Sequence, residues 1–160
     1  MARIALREAC YAALAARLVA ALTGVPLERN RRSQISDQEE FPSLVLRDGG
    51  QVPMDDSESM GEFARHMTAT LEGYVRSPDA DAGAEASDLY ARAAEALCDT
   101  PVIPDATLPG GVQIEIYVTE GALDFDAATV AESSKPIAAF YLDLSFAVRV
   151  PFGTRFLESR

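Results

Sequence analysis

Residues 136–151 read PIAAFYLDLSFAVRVP, and this stretch decides the fold. From Ile137 to Val150 the chain alternates strictly. Ala138, Phe140, Leu142, Leu144, Phe146, Val148 and Val150 point one way; Ile137, Ala139, Tyr141, Asp143, Ser145, Ala147 and Arg149 point the other. A period of two over so many residues predicts a long strand, apolar on one face and more polar on the other. Pro136 and Pro151 bracket it, because proline cannot donate to a sheet ladder.

The same pattern recurs upstream. From Phe63 to Arg76, residues Phe63, Met67, Ala69, Leu71, Gly73 and Val75 share one side. His66, Thr68, Thr70, Glu72, Tyr74 and Arg76 share the other, which predicts a second long half-buried strand. Val112 to Thr119 alternates as well, with Leu123 to Asp126 continuing the sheet after a bend or bulge at Gly121. Ser43 to Arg47 predicts a short strand and Asp48-Gly49-Gly50 a turn. Val25 to Arg32 predicts an edge strand, since Pro26 lacks an N–H.

Two stretches read as helices. Arg3 to Leu22 is Ala-rich, with Ile4, Tyr11, Leu14, Leu18 and Leu22 on one face and stop signals at Gly24 and Pro26. Arg7 falls on that same face, which predicts that it snorkels or lies against another chain. Ala84 to Cys98 places Ala86, Leu89, Tyr90, Ala93, Ala96 and Leu97 on its apolar side. The order is therefore α-β-β-β-α-β-β. Strands in runs, each apolar on one face, predict an α+β two-layer sandwich: a mostly antiparallel or mixed sheet of about five strands with two helices on one face. Tyr74, Tyr117 and Tyr141 fall on the uncovered face, a contact surface or plain solvent exposure. A single domain is expected over 1–151, with a mobile acidic loop at about 51–62 and a C-terminal arm at 152–160.

The chain has 160 residues, 48% of them apolar, which suits one domain and excludes wholesale disorder. Its net charge of −11 argues against tight binding of nucleic acid or anionic lipid. The charge is uneven. Residues 1–32 carry six Arg and two Glu, net +4, and the remainder is net −15. Such a split suits either a solvated surface or a chain that meets charged partners, including its own copies, at two different ends.

Catalytic and metal-binding patterns are weak. The single histidine, His66, sits in a strand. There is no G-x-S-x-G elbow, Walker A pattern or G-x-G-x-x-G. Cys10 and Cys98 fall in predicted helices and read as small buried hydrophobes, and no zinc spacing exists. Asp55, Asp56 and Glu58 lack the spacing and glycine of a calcium loop; Asp124 and Asp126 flank Phe125 and read as a solvated patch. No signal peptide is expected, because Arg7, Glu8 and Arg17 interrupt the apolar N-terminus, and no stretch reaches a membrane span. The expectation is a cytoplasmically made protein with no catalytic, metal or cofactor site.

The sharpest local feature is Glu28-Arg29-Asn30-Arg31-Arg32. In a monomer it is a solvated edge. In an oligomer Glu28, Arg29, Arg31 and Arg32 form a candidate subunit interface, pairing with the acidic 37–62 segment of a neighbouring copy. Asp55, Asp56 and Glu58 are the candidate assembly loop.

An N-terminal helix leading into ERNRR is followed by Pro42-x-Leu44-x-Leu46-x-Asp48-Gly49. Next come a strand ending LEGYVR (71–76), a helix carrying LYARAAEAL (89–97) and a final PIAAFYLDLSFAVRVPFG (136–153). This succession resembles the tail terminator, or tail completion (minor tail protein U-like), family of long-tailed phages, prophages and gene transfer agents. The resemblance spans nearly the whole chain and rests on the order and character of its elements. It implies a small α+β protein, monomeric or weakly associated when free, that forms a hexameric ring on the tail tube. There it stops polymerisation and offers the surface to which the head's neck protein binds. The implied partners are itself, the tail tube protein and the head-tail connector. DNA passes through the ring without specific binding, and no enzyme activity or cofactor is implied. The implied location is the virion, at the head-tail junction, after assembly in the bacterial cytoplasm. A head-completion or neck connector protein is the nearest alternative; a stand-alone binding module or a small hydrolase or acyl transferase lies further off.

Overall fold

The computed structural model describes residues 2–35, 40–53, 62–76, 82–126 and 137–159. Along the chain come β1 (Arg3–Ala5), α1 (Leu6–Ala21), β2 (Leu27–Arg29), β3 (Ser43–Pro53), β4 (Glu62–Arg76) and α2 (Ala82–Cys98). Then follow β5 (Ala106–Leu108), β6 (Val112–Gln113), β7 (Tyr117–Asp126), β8 (Ile137–Pro151) and β9 (Phe156–Ser159). The large sheet has the order β2-β3-β4-β8-β7, and a small sheet has the order β1-β9-β5-β6. Only β2 and β3 are parallel; every other ladder is antiparallel, so the large sheet is mixed.

The alternating stretches sit at the centre of the large sheet. β4 and β8 pair over their full lengths, from Glu62 opposite Pro151 to Arg76 opposite Ile137. Their apolar parity, with Met67, Leu71, Phe140, Leu142, Leu144 and Phe146, lies buried against α1 and α2. The helices contribute Tyr11, Leu14 and Leu18 from α1 and Ala86, Leu89, Ala93 and Leu97 from α2. Each such Leu or Phe contributes about 1.5–3 kcal/mol by leaving water. The packing is tight at Gly73: a Cβ there would stand 2.0 Å from the Phe140 ring. The sandwich expected from the sequence is thus present, with two helices packed on a mixed five-strand sheet, plus a small sheet that the strand pattern does not reveal.

Several segments differ from the sequence reading; the edge strand expected over Val25 to Arg32, for one, is only Leu27–Arg29. Arg3–Ala5 is a strand, not the first turn of the helix, because it pairs with Phe156–Glu158. Phe156–Ser159, expected within a C-terminal arm at 152–160, is accordingly a strand. β9 lies between β1 and β5, Leu157 is fully buried, and the Leu6 N–H at the start of α1 donates to the Arg155 carbonyl at 2.9 Å. The tail thereby satisfies one of the helix donors that has no partner within the helix.

Asp48-Gly49-Gly50 is not a turn. β3 runs straight through it to Pro53, with an irregularity in register between Asp48 and Gln51. Glycine is required at 49 because a Cβ would fall 2.5 Å from the Thr68 carbonyl oxygen. Residues 51–53 and Glu62, expected within the loop at 51–62, therefore belong to β3 and β4, and Asp55, Asp56 and Glu58 lie outside the described residues. The alternating run Val112 to Thr119 is divided: β6 belongs to the small sheet and β7 to the large one. The crossing between them is pinned by the Ile116–Val102 bridge.

Candidate functional site

The Arg-rich segment divides by what each guanidinium touches. Arg29 faces α1. Its two terminal nitrogens donate to both carboxylate oxygens of Glu8, at 2.7 and 3.2 Å, and to Asp48 at 2.8 Å. The guanidinium holds the Glu8 carboxyl below the usual glutamate range, and the Glu8 bond raises Arg29 in turn. Arg31 donates to Glu28 at 3.0 Å and to the Ser33 and Gln34 carbonyls, each at 3.0 Å; its side chain is only 9% exposed. Arg29 and Arg31 are thus engaged within the chain, while Arg32 projects into solvent. Arg7, which interrupts the apolar face of α1, is likewise engaged internally. It lies 4.7 Å over the Tyr11 ring and donates to the Gly49 carbonyl at 2.6 Å.

The uncovered face of the large sheet is more than a row of solvated side chains. Glu72 is 8% exposed. It accepts from the Arg47 guanidinium and from the Tyr74 hydroxyl, the latter at 2.7 Å. Arg47 also donates to the Arg31 carbonyl, which ties residues 30–35 down across β3. Tyr74 meets Tyr141 edge to face, with centroids 6.3 Å apart. Burial, and then the bond to Glu72, raises the Tyr74 hydroxyl, so it stays a donor at neutral pH. Between this network and the 31–35 segment lies a cleft of about 350 Å3, lined by Arg32, Arg47, Glu72, Tyr74 and Tyr141 among others.

The sequence reading placed these residues on the polar face without joining them. The available signal was the ladder itself. Glu72 stands opposite Val45, so Arg47 is its diagonal neighbour two residues along β3, within reach of a long side chain.

The β7 edge carries acids. Asp124 stands opposite Tyr141 and Asp126 opposite Ala139, both on the uncovered face, as their spacing around Phe125 implies. Glu120, on the helix side, accepts from Tyr90 at 2.6 Å. Tyr90 in turn stacks edge-on against Phe125 and Phe140.

A further surface is mainly apolar. Leu108, Pro109, Val112, Ile114, Tyr117, Val150 and Pro151, interrupted by Gln113, Glu115, Arg149 and Thr154, line a groove of about 920 Å3 between the small sheet and the end of β8. Tyr117 is 63% exposed there, and Phe152, in the turn after Pro151, is 77% exposed. Large apolar side chains gathered around one groove mark a contact surface more often than chance exposure.

The residues weighed for chemistry are placed as follows. His66 sits in β4 with Val52 and Ala147 as its cross-strand neighbours. Burial pushes the Cys10 thiol up to about 12, and burial followed by the Glu120 and Asp99 charges pushes Cys98 up to about 11. Both remain protonated at neutral pH, and a thiol is a poor nucleophile. Among the described residues no group of three or more His, Cys, Asp and Glu stands close enough to hold a metal ion. Among the same residues no helix is long and apolar enough to cross a membrane. No protein-family model matches the chain, and no curated protein matches it either.

Proposed function

We propose that this chain is a structural assembly protein, a tail terminator. It forms a ring on the end of a tail tube, stops further polymerisation and offers the head or neck a place to attach. The observation that carries the reading is the open groove walled by Tyr117, Val112 and Leu108, with the exposed Phe152 in the turn next to its Pro151 wall. A capping protein needs one such surface for a single permanent partner, and we assign the groove to the terminal layer of tube subunits. The succession of elements from the ERNRR segment to the long last strand supports the same reading, because it resembles that family. The overall acidity suits a ring through which DNA must slide without being held.

The test is to add the purified chain to polymerising tail-tube subunits and measure tube length. The wild-type chain is expected to arrest growth at near-stoichiometric amounts, while Tyr117→Asp, at an exposed position of the groove wall, is expected to melt like wild type and to require at least about tenfold more. That factor corresponds to about 1.4 kcal/mol of lost contact. Unchanged tube growth in excess wild-type chain would rule the terminator reading out; binding to filled heads instead would point to the neck.

A further inference from the structure

The geometry points to the groove beside Tyr117 as a strand-addition site. It receives an extended segment of the partner, which pairs with the open backbone of β8 at Arg149 and sets an acidic side chain against the Arg149 guanidinium. The inference rests on the assignment of this groove to the tube subunits made above, and specifies the conformation and chemistry of the segment that enters it.

Which backbone groups are open follows from the ladders. The Leu44 N–H donates to the Pro26 carbonyl and the Asn30 N–H to the Leu46 carbonyl, so Leu44 and Leu46 turn their backbone groups toward β2. Successive residues of a strand turn theirs to opposite sides, so Ser43, Val45 and Arg47 face β4. They pair there with Tyr74, Glu72 and Thr70, and the residues between, Gly73 and Leu71, face β8. The β4–β8 ladder runs in unbroken register, which carries the alternation to its end. Val148 and Val150 bond to Arg65 and Phe63, and Arg149 turns its N–H and C=O away from β4. On that side β7 begins only at Tyr117, opposite Ala147, and Ile116 is drawn off to Val102. The backbone of Arg149 therefore has no strand beside it among the described residues.

This open edge lies in the groove, whose lining includes Arg149 together with Leu108, Val112, Ile114 and Pro151. Its surroundings define the occupant. An extended segment offers the N–H and C=O that match those of Arg149, whereas the interior of a helix has spent its own. The apolar walls take alternate side chains of such a segment. Arg149 is exposed, and its guanidinium has no carboxylate partner among the described residues. Glu115, in the same groove, accepts from the Tyr117 hydroxyl at 2.7 Å instead. A segment paired with Arg149 thus places its own carboxylate, on the residue opposite or diagonal to it, against that guanidinium.

Amide hydrogen exchange of the chain, free and with isolated tail tubes, read at single residues by mass spectrometry, tests the pairing. In the free chain the Arg149 amide is expected to exchange fast, while those of Val148 and Val150, bonded to β4, exchange slowly. On tubes the Arg149 amide is expected to slow at least about tenfold. Arg149→Glu, at an exposed position, is expected to melt like wild type and to bind tubes at least about tenfold more weakly, with Arg149→Lys close to wild type. A bound chain whose Arg149 amide exchanges as fast as before, or equal binding by Arg149→Glu, would each overturn the inference. Protection that appears in the chain alone as its concentration rises would give the groove to a second copy and overturn it as well. In those cases arrest of tube growth by the wild-type chain would still uphold the terminator reading. Neither binding to tubes nor arrest would sink that reading and the inference together.

Discussion

The two faces of the large sheet are built from the same strands and do opposite work. On β8, Phe140, Leu142, Leu144 and Phe146 turn under the helices and are fully buried. One residue out of step, Tyr141, Asp143, Ser145, Ala147 and Arg149 turn away from them, half-buried or exposed. The covered face is held by apolar packing, whose worth scales with the surface removed from water. The uncovered face carries a few polar bonds around Glu72 and leaves acids and bases interspersed over its strands. The contrast teaches that one parity of each strand fixes the fold and the other remains free to specify partners.

The largest effect that would break this contrast lies at adjacent residues. Phe140→Ala removes a ring packed against Gly73, Tyr90 and Phe125 and is expected to cost about 3–5 kcal/mol in urea unfolding. Tyr141→Ala, its neighbour on the uncovered face, loses an edge contact with Tyr74 and is expected to cost about 1 kcal/mol. Equal costs would mean that the two faces are not separate in the way described.

A smaller effect sharpens the role of the basic segment. Arg29 holds Glu8 below its ordinary range, so the folded state binds a proton there less readily than the unfolded one. The resulting stability is present above the unfolded value, ~4.3 for glutamate, and is lost as pH falls through the folded one. Glu8 is half exposed, so the contribution is at most about 0.5–1 kcal/mol. Thermal melts of wild type and Glu8→Gln should differ slightly at pH 7 and converge below about pH 4. A difference that persists in acid would show that the ion pair is not its source.

Much of the fold was legible because period-two alternation is a direct print of burial. Residues 137–150 and 63–76 announced the central pair, and the two amphipathic helices announced the covering layer. What was illegible depends on contacts distant in sequence. Nothing in RIALREA marks Arg3–Ala5 as a strand; its partner is the chain's last segment, and Ala-rich composition favours helix there in the absence of that partner. Gly49 read as a turn because glycine punctuates turns, whereas here it makes room for the Thr68 carbonyl. The Arg cluster was visible as composition. Only packing separates Arg29 and Arg31, engaged with Glu8, Asp48 and Glu28, from Arg32, which is exposed.

In the proposed function, this chain assembles into a ring at the end of a tail tube. Electron micrographs of purified tail tubes incubated with the chain test it most directly. The account predicts one closed ring of copies seated on a single end of each tube. Tubes with bare ends, or chains scattered along the tube wall, would contradict it.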